Sequence, residues 1–353
     1  MGRTLSRACA RIVASHPPPA AEAAAAPLDE NLASLPKTFP AVRIAAVRIV
    51  FFGTPAFAVP ALRAIAGRHD VVGVVAQPDK PSGRGMRLQT PAIAVAAREL
   101  GLHLLQPARI REPTFLGEIE SLRPQIGVVI AYGRILPPAL LSIPPHGFIN
   151  VHASLLPKYR GAAPIQRAIE AGETITGITI MRVDEQLDHG AMLAIVETAI
   201  GSDERAGSLS SRLSEIGGTA VVEVLDAIAA GQAREVAQDH ELATHAAKLE
   251  KQEGLITFQE SARTITRRFR AFEPWPGIFV STRGDMVKLL DVSAREGEGS
   301  ARHVVDFDGQ GVIVGTGQGL VRIGSLQEPG RARASASAVA RSLGWKRGER
   351  IAD

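Results

Sequence analysis

Cysteine is almost missing from this 353-residue chain, since Cys9 is the only one. A single thiol excludes an intramolecular disulfide framework and a zinc site built from several cysteines. Cys9 also lies in an alanine- and proline-rich segment near the amino terminus, so we do not expect it to serve as a thiol nucleophile. No run of about 18 uncharged apolar residues is present, and the sequence therefore predicts no membrane-spanning helix.

Two phosphate-binding motifs are missing as well. The first apolar run is followed by Gly53-Thr54-Pro55 and not by the Gly-x-Gly-x-x-Gly turn that holds a pyrophosphate. The chain also has no Gly-x-x-x-x-Gly-Lys-Ser/Thr loop. These absences disfavour a nucleotide cofactor.

Residues 1–45 are predicted to form a disordered extension. Pro17-Pro18-Pro19 and the alanines that follow cannot bury enough apolar surface to offset the entropy of ordering. Three arginines precede the first acidic residue, which leaves a transit peptide as one interpretation. A start site assigned too far upstream has the same appearance, and we favour it. We accordingly expect a cytoplasmic protein, with an organelle matrix as the alternative.

From residue 46 onwards, short apolar runs alternate with segments of helical periodicity. The runs predicted as buried strands are 47–52, 71–76, 102–105, 126–131 and 148–151, followed by 176–182 and 192–198. The segments predicted as helices are 56–67, 91–100, 113–122 and 208–230. This alternation predicts a doubly wound, Rossmann-like α/β domain with a parallel sheet over residues 46–231. Ligands of such sheets bind beyond the carboxyl ends of the strands.

The pattern changes after residue 231. Residues 232–250 are polar and irregular, which indicates a linker. Residues 251–353 contain short runs predicted as strands, with frequent glycine, at 279–282, 287–292, 311–315 and 319–323. We predict a small OB-like β-barrel domain over residues 251–353. Residues 251–353 hold 16 basic and 12 acidic side chains, whereas residues 46–250 hold 19 and 21. The basic excess favours a polyanionic partner for the C-terminal domain, although ordinary scatter in composition gives a similar excess.

The most informative polar residues are Asn150 and His152. They stand two apart at the end of a predicted strand, so their side chains project to the same side of the sheet. An amide donor beside an imidazole suits stabilisation of an oxyanion, and an imidazole exchanges protons near neutral pH. Asp188, in the turn Leu187-Asp188-His189-Gly190, is a candidate for orienting His152. The alternative is structural, with Asn150 capping the strand and His152 satisfied within the core.

Longer motifs extend this pattern. They are Asn150-Val151-His152, Ser154-Leu155-Leu156-Pro157, Arg160-Gly161-Ala162-Ala163-Pro164-Ile165-Gln166 and Leu187-Asp188-His189-Gly190, with Phe52-Gly53-Thr54-Pro55, Gln77-Pro78-Asp79, Gly83-Arg84-Gly85, Ala131-Tyr132-Gly133 and Arg270-Ala271-Phe272-Glu273-Pro274-Trp275-Pro276-Gly277. Each motif alone is weak, but their order and spacing are specific. From about residue 48 to about residue 351, the chain resembles the 10-formyltetrahydrofolate-dependent formyltransferase family. Within it, the chain looks like the branch that formylates methionine carried by initiator tRNA.

The resemblance implies a set of site residues. Asn150, His152 and Asp188 would be the catalytic set. The folate-binding residues would be Ser154, Leu155, Leu156 and Pro157 in one loop and Ile135, Leu136 and Pro137 on the pterin side. The co-substrate would be 10-formyltetrahydrofolate, and no metal is implied.

The resemblance also implies that initiator methionyl-tRNA is the second substrate. The loop 77–88 matches the segment that inserts at the acceptor end of the tRNA, with Arg84 prominent in it; on composition alone a solvated loop is the alternative. Four basic residues are expected to meet tRNA phosphates, namely Arg263, Arg267, Arg268 and Arg270. Arg263, Arg267 and Arg270 would share one face of a helix, a spacing that any solvated amphipathic helix also has.

Two departures and two open points accompany this resemblance. The family commonly has an acidic residue and a tryptophan where this chain has Ile256-Thr257-Phe258, and it often has asparagine in place of Glu273. We expect a monomer. A sugar nucleotide or a purine-precursor ribotide is the alternative acceptor.

Overall fold

The computed structural model describes residues 45–82 and 87–352. The predicted N-terminal extension, apart from Ala45, and Arg84 therefore lie outside the described residues. Within the described ranges, no helix has both the length and the apolar character needed to cross a bilayer.

The described residues up to position 199 form ten strands. Their bounds are β1 (Arg48–Gly53), β2 (Asp70–Val75), β3 (Lys80–Ser82), β4 (Arg87–Gln89), β5 (Leu104–Leu105), β6 (Ile126–Ile130), β7 (Phe148–His152), β8 (Arg160–Gly161), β9 (Ile175–Arg182) and β10 (Met192–Ala199). Seven of them form one sheet with the order β10-β9-β7-β6-β1-β2-β5. The strands from β7 to β5 in this order are parallel, and β9 and β10 add two antiparallel strands at one edge. A separate hairpin is formed by β3 and β4.

The central position of β1 in the sheet explains why its sequence is apolar from Ile49 onwards. Ile49 and Phe51 belong to the core on one face of the sheet, whereas Val50 and Phe52 belong to the core on the other face. A parallel strand covered on both faces has no polar side, so apolar and polar residues do not alternate along it. The strand order reverses beside β1, because β2 lies on one side of it and β6 on the other. This switch point places a crevice at the carboxyl ends of β1 and β6.

Helices cover both faces of this sheet. Their bounds are α1 (Val59–Ala66), α2 (Ala92–Glu99), α3 (Pro113–Ser121), α4 (Pro138–Leu141), α5 (Pro164–Ala171) and α6 (Ala206–Ala229). Proline opens α3, α4 and α5, where its missing N–H would have had no intrahelical partner. The long helix α6 lies close behind β7, because a Cβ atom on Gly217 would come within 2.8 Å of the Cγ1 atom of Val151.

The C-terminal half is built around an antiparallel sheet. The bounds are β11 (His245–Ala246), α7 (Ala262–Phe272), β12 (Ile278–Thr282), β13 (Asp285–Arg295), β14 (Val304–Asp308), β15 (Gly311–Gly315), β16 (Leu320–Gln327), β17 (Ala334–Ser335) and α8 (Ala336–Ser342). The sheet has the order β12-β13-β16-β15-β14, and β17 adds beside β16. The helices α7 and α8 lie against it. The predicted fold class, a Rossmann-like α/β domain followed by a small barrel-type β domain, is thereby confirmed.

The segment 232–250 keeps contact with the α/β half. Within it, β11 pairs with β8 in parallel, and Val236 forms a bridge with Met192. Beyond this segment, Ile256 and Phe258 are buried in the core, so the departure from the family at these positions lies inside the fold. Glu273, the other departure, forms an ion pair with Arg205 at the start of α6.

The two halves meet where α7 lies against α5. Arg167 on α5 forms an ion pair with Glu253, with 2.6 Å between Nη1 and Oε2. Gly172, at the end of α5, has a left-handed φ of 85° and leaves room for the guanidinium of Arg267, which a Cβ atom there would contact.

Candidate active site

Three predicted catalytic side chains meet at the carboxyl end of β7. Asn150 and His152 project from β7, and Asp188 arrives on the turn between β9 and β10. Asn150 Nδ2 donates to Asp188 Oδ1 over 3.4 Å, and His152 Nδ1 lies 3.6 Å from Asp188 Oδ2. The backbone N–H of Gly161 donates to the same Oδ2 atom over 2.8 Å. The Asp188 carboxylate therefore accepts hydrogen bonds from Asn150 and Gly161 and faces the imidazole of His152.

The imidazole of His152 is buried between two acceptors. Its Nε2 atom lies 2.9 Å from the carbonyl oxygen of Tyr159. A carbonyl can only accept, so this nitrogen carries the hydrogen. The other ring nitrogen faces the Asp188 carboxylate, which also can only accept when ionised. Only the protonated ring can donate toward both neighbours.

Tyr159 is held in place on the other side of His152. Its backbone has a left-handed φ of 62°, and its hydroxyl donates to Glu173 Oε1 over 2.8 Å. Burial, together with the neighbouring Glu173 carboxylate, raises the pKa of the Tyr159 phenol. The phenol therefore stays neutral and acts as a hydrogen-bond donor that fixes this loop.

The predicted folate loop is tied to β9 by Thr179. The Thr179 hydroxyl donates to the carbonyl oxygen of Ser154 over 2.7 Å and accepts from the backbone N–H of Leu156 over 3.1 Å. Ser154 Oγ in turn donates to the carbonyl oxygen of Lys158 over 2.7 Å. Ser154, Leu156 and Pro157 are buried and shape the loop, whereas Leu155 is half-buried.

The predicted pterin side follows β6. Leu136 and Pro137 are buried, but Ile135 is 71% exposed. A large apolar side chain this exposed at the ligand edge of a sheet offers a surface for a flat ring. Ile135 and Leu155 are thus the predicted folate residues whose side chains are open to a ligand.

The base of the loop 77–88 is anchored at the same edge of the sheet. The carbonyl oxygen of Tyr132 accepts from Thr54 Oγ1 over 3.0 Å and from Gln77 Nε2 over 3.1 Å. Asp79 accepts from Gln106 and Thr90, and these hydrogen bonds lower the pKa of its carboxyl. Both stems of the loop are therefore fixed next to the crevice.

The predicted tRNA-binding arginines divide into two groups. Arg263 lines a cleft of about 300 Å³ between the two halves, together with Arg267 and Arg270. Arg267 also donates to the carbonyl oxygen of Ala171, and Arg270 to that of Gly201, so both stabilise the docking of α7. Arg268 is directed away from this cleft. It forms an ion pair with Glu260 and donates to the carbonyl oxygen of Glu253.

In residues 45–82 and 87–352, no group of three or more His, Cys, Asp or Glu side chains is arranged to hold a metal ion.

Comparison with known proteins identifies the family. Residues 47–225 match the family described as Formyl transferase, and residues 248–344 match Formyl transferase, C-terminal domain. The chain belongs to the formyl transferase family. A methionyl-tRNA formyltransferase of Thermus thermophilus is 46% identical over 305 residues, which is 86% of this chain and 99% of that protein. Methionyl-tRNA formyltransferase of Geobacter metallireducens is 45% identical over 83% of this chain and 94% of that protein.

Solved structures share the fold of this formyl transferase at low sequence identity. HypX from Aquifex aeolicus in complex with tetrahydrofolic acid has a TM-score of 0.58 and is 18% identical over 85% of this chain; the match spans about half of the HypX chain, 48%. WlaRD, a sugar 3N-formyl transferase, has a TM-score of 0.60 and is 14% identical over 82% of this chain and 100% of that chain.

Proposed function

We propose that this formyl transferase moves the formyl group of 10-formyltetrahydrofolate to the α-amino group of methionine esterified to initiator tRNA. The observation that carries the proposal is the convergence of Asn150, His152 and Asp188 at the carboxyl edge of the sheet. The choice of acceptor is supported by the methionyl-tRNA formyltransferases, because the similarity extends through both halves of the chain. A second half with a basic excess suits a polyanionic acceptor better than a small one.

The transfer makes one bond and breaks one. The amino nitrogen bonds to the formyl carbon, the bond from that carbon to N10 of the folate breaks, and the proton lost by the amine ends on N10. An α-amine has a pKa of about 7.7–8.0, so part of it is a neutral nucleophile near neutral pH. The chain has to stabilise the oxyanion that develops on the formyl oxygen and to move this proton.

Asn150 is the residue best placed to donate to that oxygen. Its side chain is half-buried at the strand end, and its amide makes one hydrogen bond among the described residues, to Asp188. The second hydrogen of the amide is therefore open to a substrate. Removing a donor of this kind typically costs about 2.7–4 kcal/mol of transition-state stabilisation.

We assign proton transfer and the orientation of the site to His152 and Asp188. Asp188 faces one nitrogen of the imidazole and the carbonyl of Tyr159 occupies the other. Donation from His152 to the oxyanion thus requires the substrate to displace one of these two neighbours. Proton relay through water between the amine, Asp188 and N10 needs no such displacement.

The folate is assigned to the apolar surface of Ile135 and to the loop Ser154-Leu155-Leu156-Pro157. When bound there, it supplies the formyl group. The exposed Ile135 and the half-buried Leu155 suit a ring with two apolar faces, and the buried members of the loop fix its path. The tRNA is assigned to Arg263 in the cleft and, outside the described residues, to Arg84.

The test is a formylation assay with purified protein. With 10-formyltetrahydrofolate as donor, we expect formyl-methionine to form on initiator methionyl-tRNA and much less on elongator methionyl-tRNA or free methionine. Formylation of a sugar nucleotide or a ribotide instead, with no reaction on either tRNA, would overturn the assigned acceptor and leave the family unchanged.

A further inference from the structure

The segment that joins the two halves sends one buried polar side chain into the active site. Gln238 is 5% exposed. Its Nε2 atom donates to the carbonyl oxygen of Asp188 over 2.9 Å and to that of Gly190 over 2.8 Å. Both hydrogens of the amide are therefore used on the turn that carries the Asp188 carboxylate.

The oxygen of the same amide is also fully used. Gln238 Oε1 accepts from Arg160 Nε over 3.1 Å and from Arg160 Nη2 over 2.6 Å. The next residue, Gly161, donates its backbone N–H to Asp188 Oδ2. The connections form a closed ring from the backbone of Asp188 through Gln238 and Arg160 to Gly161, and back to the Asp188 carboxylate.

The turn requires such support. Asp188 has a φ of 50°, a left-handed conformation that is unfavourable for a non-glycine residue. A second contact comes from the same segment, because the ring of His240 stacks on that of His189 with 4.1 Å between centroids. Arg160 Nη2 also lies 2.8 Å from His240 Nδ1. Two adjacent turn residues are thus held by one segment of chain.

We propose that Gln238 is a positioning residue for formyl transfer, which holds the Asp188 carboxylate at the distance from Asn150 and His152 that the reaction needs. This inference rests on the proposed function. Gln238 contacts the backbone of Asp188 and of Gly190 and the side chain of Arg160, but none of the three reacting side chains, so it acts by holding the turn that carries Asp188.

The test uses two substitutions that keep the volume of the side chain and remove its N–H donors, Gln238→Glu and Gln238→Met. Glutamate keeps a partner for Arg160, and methionine avoids placing a charge against the two carbonyls. We expect kcat for formylation of initiator methionyl-tRNA to fall by about 10- to 100-fold in each, because a catalytic group displaced by about 1 Å loses this much. KM for both substrates should change by less than about twofold, since uniform binding is unaffected.

Gln232→Ala is the matched control, because Gln232 is an exposed glutamine of the same segment with no side-chain hydrogen bond among the described residues. Its kcat should equal that of the wild-type protein. All rates are taken well below the melting temperature of each variant, so that a lower stability alone leaves kcat per folded molecule unchanged.

A double-mutant cycle with Asp188→Asn then separates positioning from general damage. If Gln238 acts through Asp188, adding Gln238→Glu to Asp188→Asn should lower the single-turnover rate by less than about twofold. The same 10- to 100-fold loss in both backgrounds would overturn the inference, as would normal kcat in either single variant. A wild-type protein that formylates no tRNA would instead refute the proposed function, before any variant is compared.

Discussion

Replacing Thr179 by valine tests how the loop 154–157, the proposed folate loop, is held. Thr179 lies on β9 with no exposed surface, and its hydroxyl is the partner of the Ser154 carbonyl and the Leu156 N–H. Valine has the same shape as threonine but carries no polar atom. The substitution therefore leaves the packing unchanged and removes the partner of two backbone groups in one loop.

The size of the effect follows from those two groups. A buried donor or acceptor left without a partner costs about 1–3 kcal/mol, so a loop that stayed in place would lose roughly 2–6 kcal/mol. The loop can shift and regain water, which limits the loss. We expect the free energy of unfolding to fall by about 2–3 kcal/mol. The same shift displaces Leu155, so KM for 10-formyltetrahydrofolate should rise while KM for the tRNA stays constant.

Urea denaturation and steady-state formylation measure the two effects. Thr176→Val is the control, since Thr176 is 3% exposed on the same strand and its hydroxyl makes no hydrogen bond among the described residues. Thr176→Val should change stability by less than about 1 kcal/mol, because no buried partner is orphaned. If the Thr179 and Thr176 variants match in both stability and KM for the folate, the hydroxyl does not hold the loop.

Three further outcomes are expected. Asn150→Ala should lower kcat by about 10²–10³-fold with an unchanged urea midpoint, and near-normal turnover would refute its role as a donor. Glu253→Gln should lower stability by about 1.5–3 kcal/mol near neutral pH, because it removes a charged partner of Arg167. Hydrogen bonding by Arg167 lowers the pKa of Glu253, so this stabilisation is complete above the ordinary carboxyl pKa and is lost as pH falls through the lowered one. In denaturation series from about pH 7 to about pH 3, the gap to wild type should close, and a constant gap would contradict the assignment. Arg263→Ala should weaken tRNA binding and reduce the slope of log K against log salt by about 1, and an unchanged slope in filter binding would refute the phosphate contact.

Much of the α/β half could be predicted because each strand carries its own signal. The run at β1 is apolar at every position after the first, and the proline that opens α3 and the glycine after α5 mark helix ends without reference to distant residues. Three features with weaker local signals were not predicted from the sequence. Acidic residues interrupt β14, α8 is a seven-residue helix of mostly alanine and serine, and the hairpin of β3 and β4 has no apolar alternation.

Asn150 and His152 could be predicted to share a side of the sheet, because alternation along a strand is local. Asp188 could be proposed from its turn, but its contact with both side chains exists only because β9 pairs antiparallel to β7. Thr176 and Thr179 stand three apart on β9, so alternation predicts opposite faces for them, but it does not predict which face meets the loop 154–157. Packing alone decides that Thr179 faces this loop and forms two hydrogen bonds there.

The arginines of α7 show the same difference between what the sequence determines and what the tertiary structure decides. Their spacing in the sequence determined that Arg263, Arg267 and Arg270 share one helix face. The docking of α7 against α5 decided that Arg267 and Arg270 donate across the interface, and that Arg268 turns to Glu260. Local periodicity depends only on neighbouring residues. The partner of a side chain depends on which distant segments the folded chain brings beside it, and Gln238 beside Asp188 is decided in the same way.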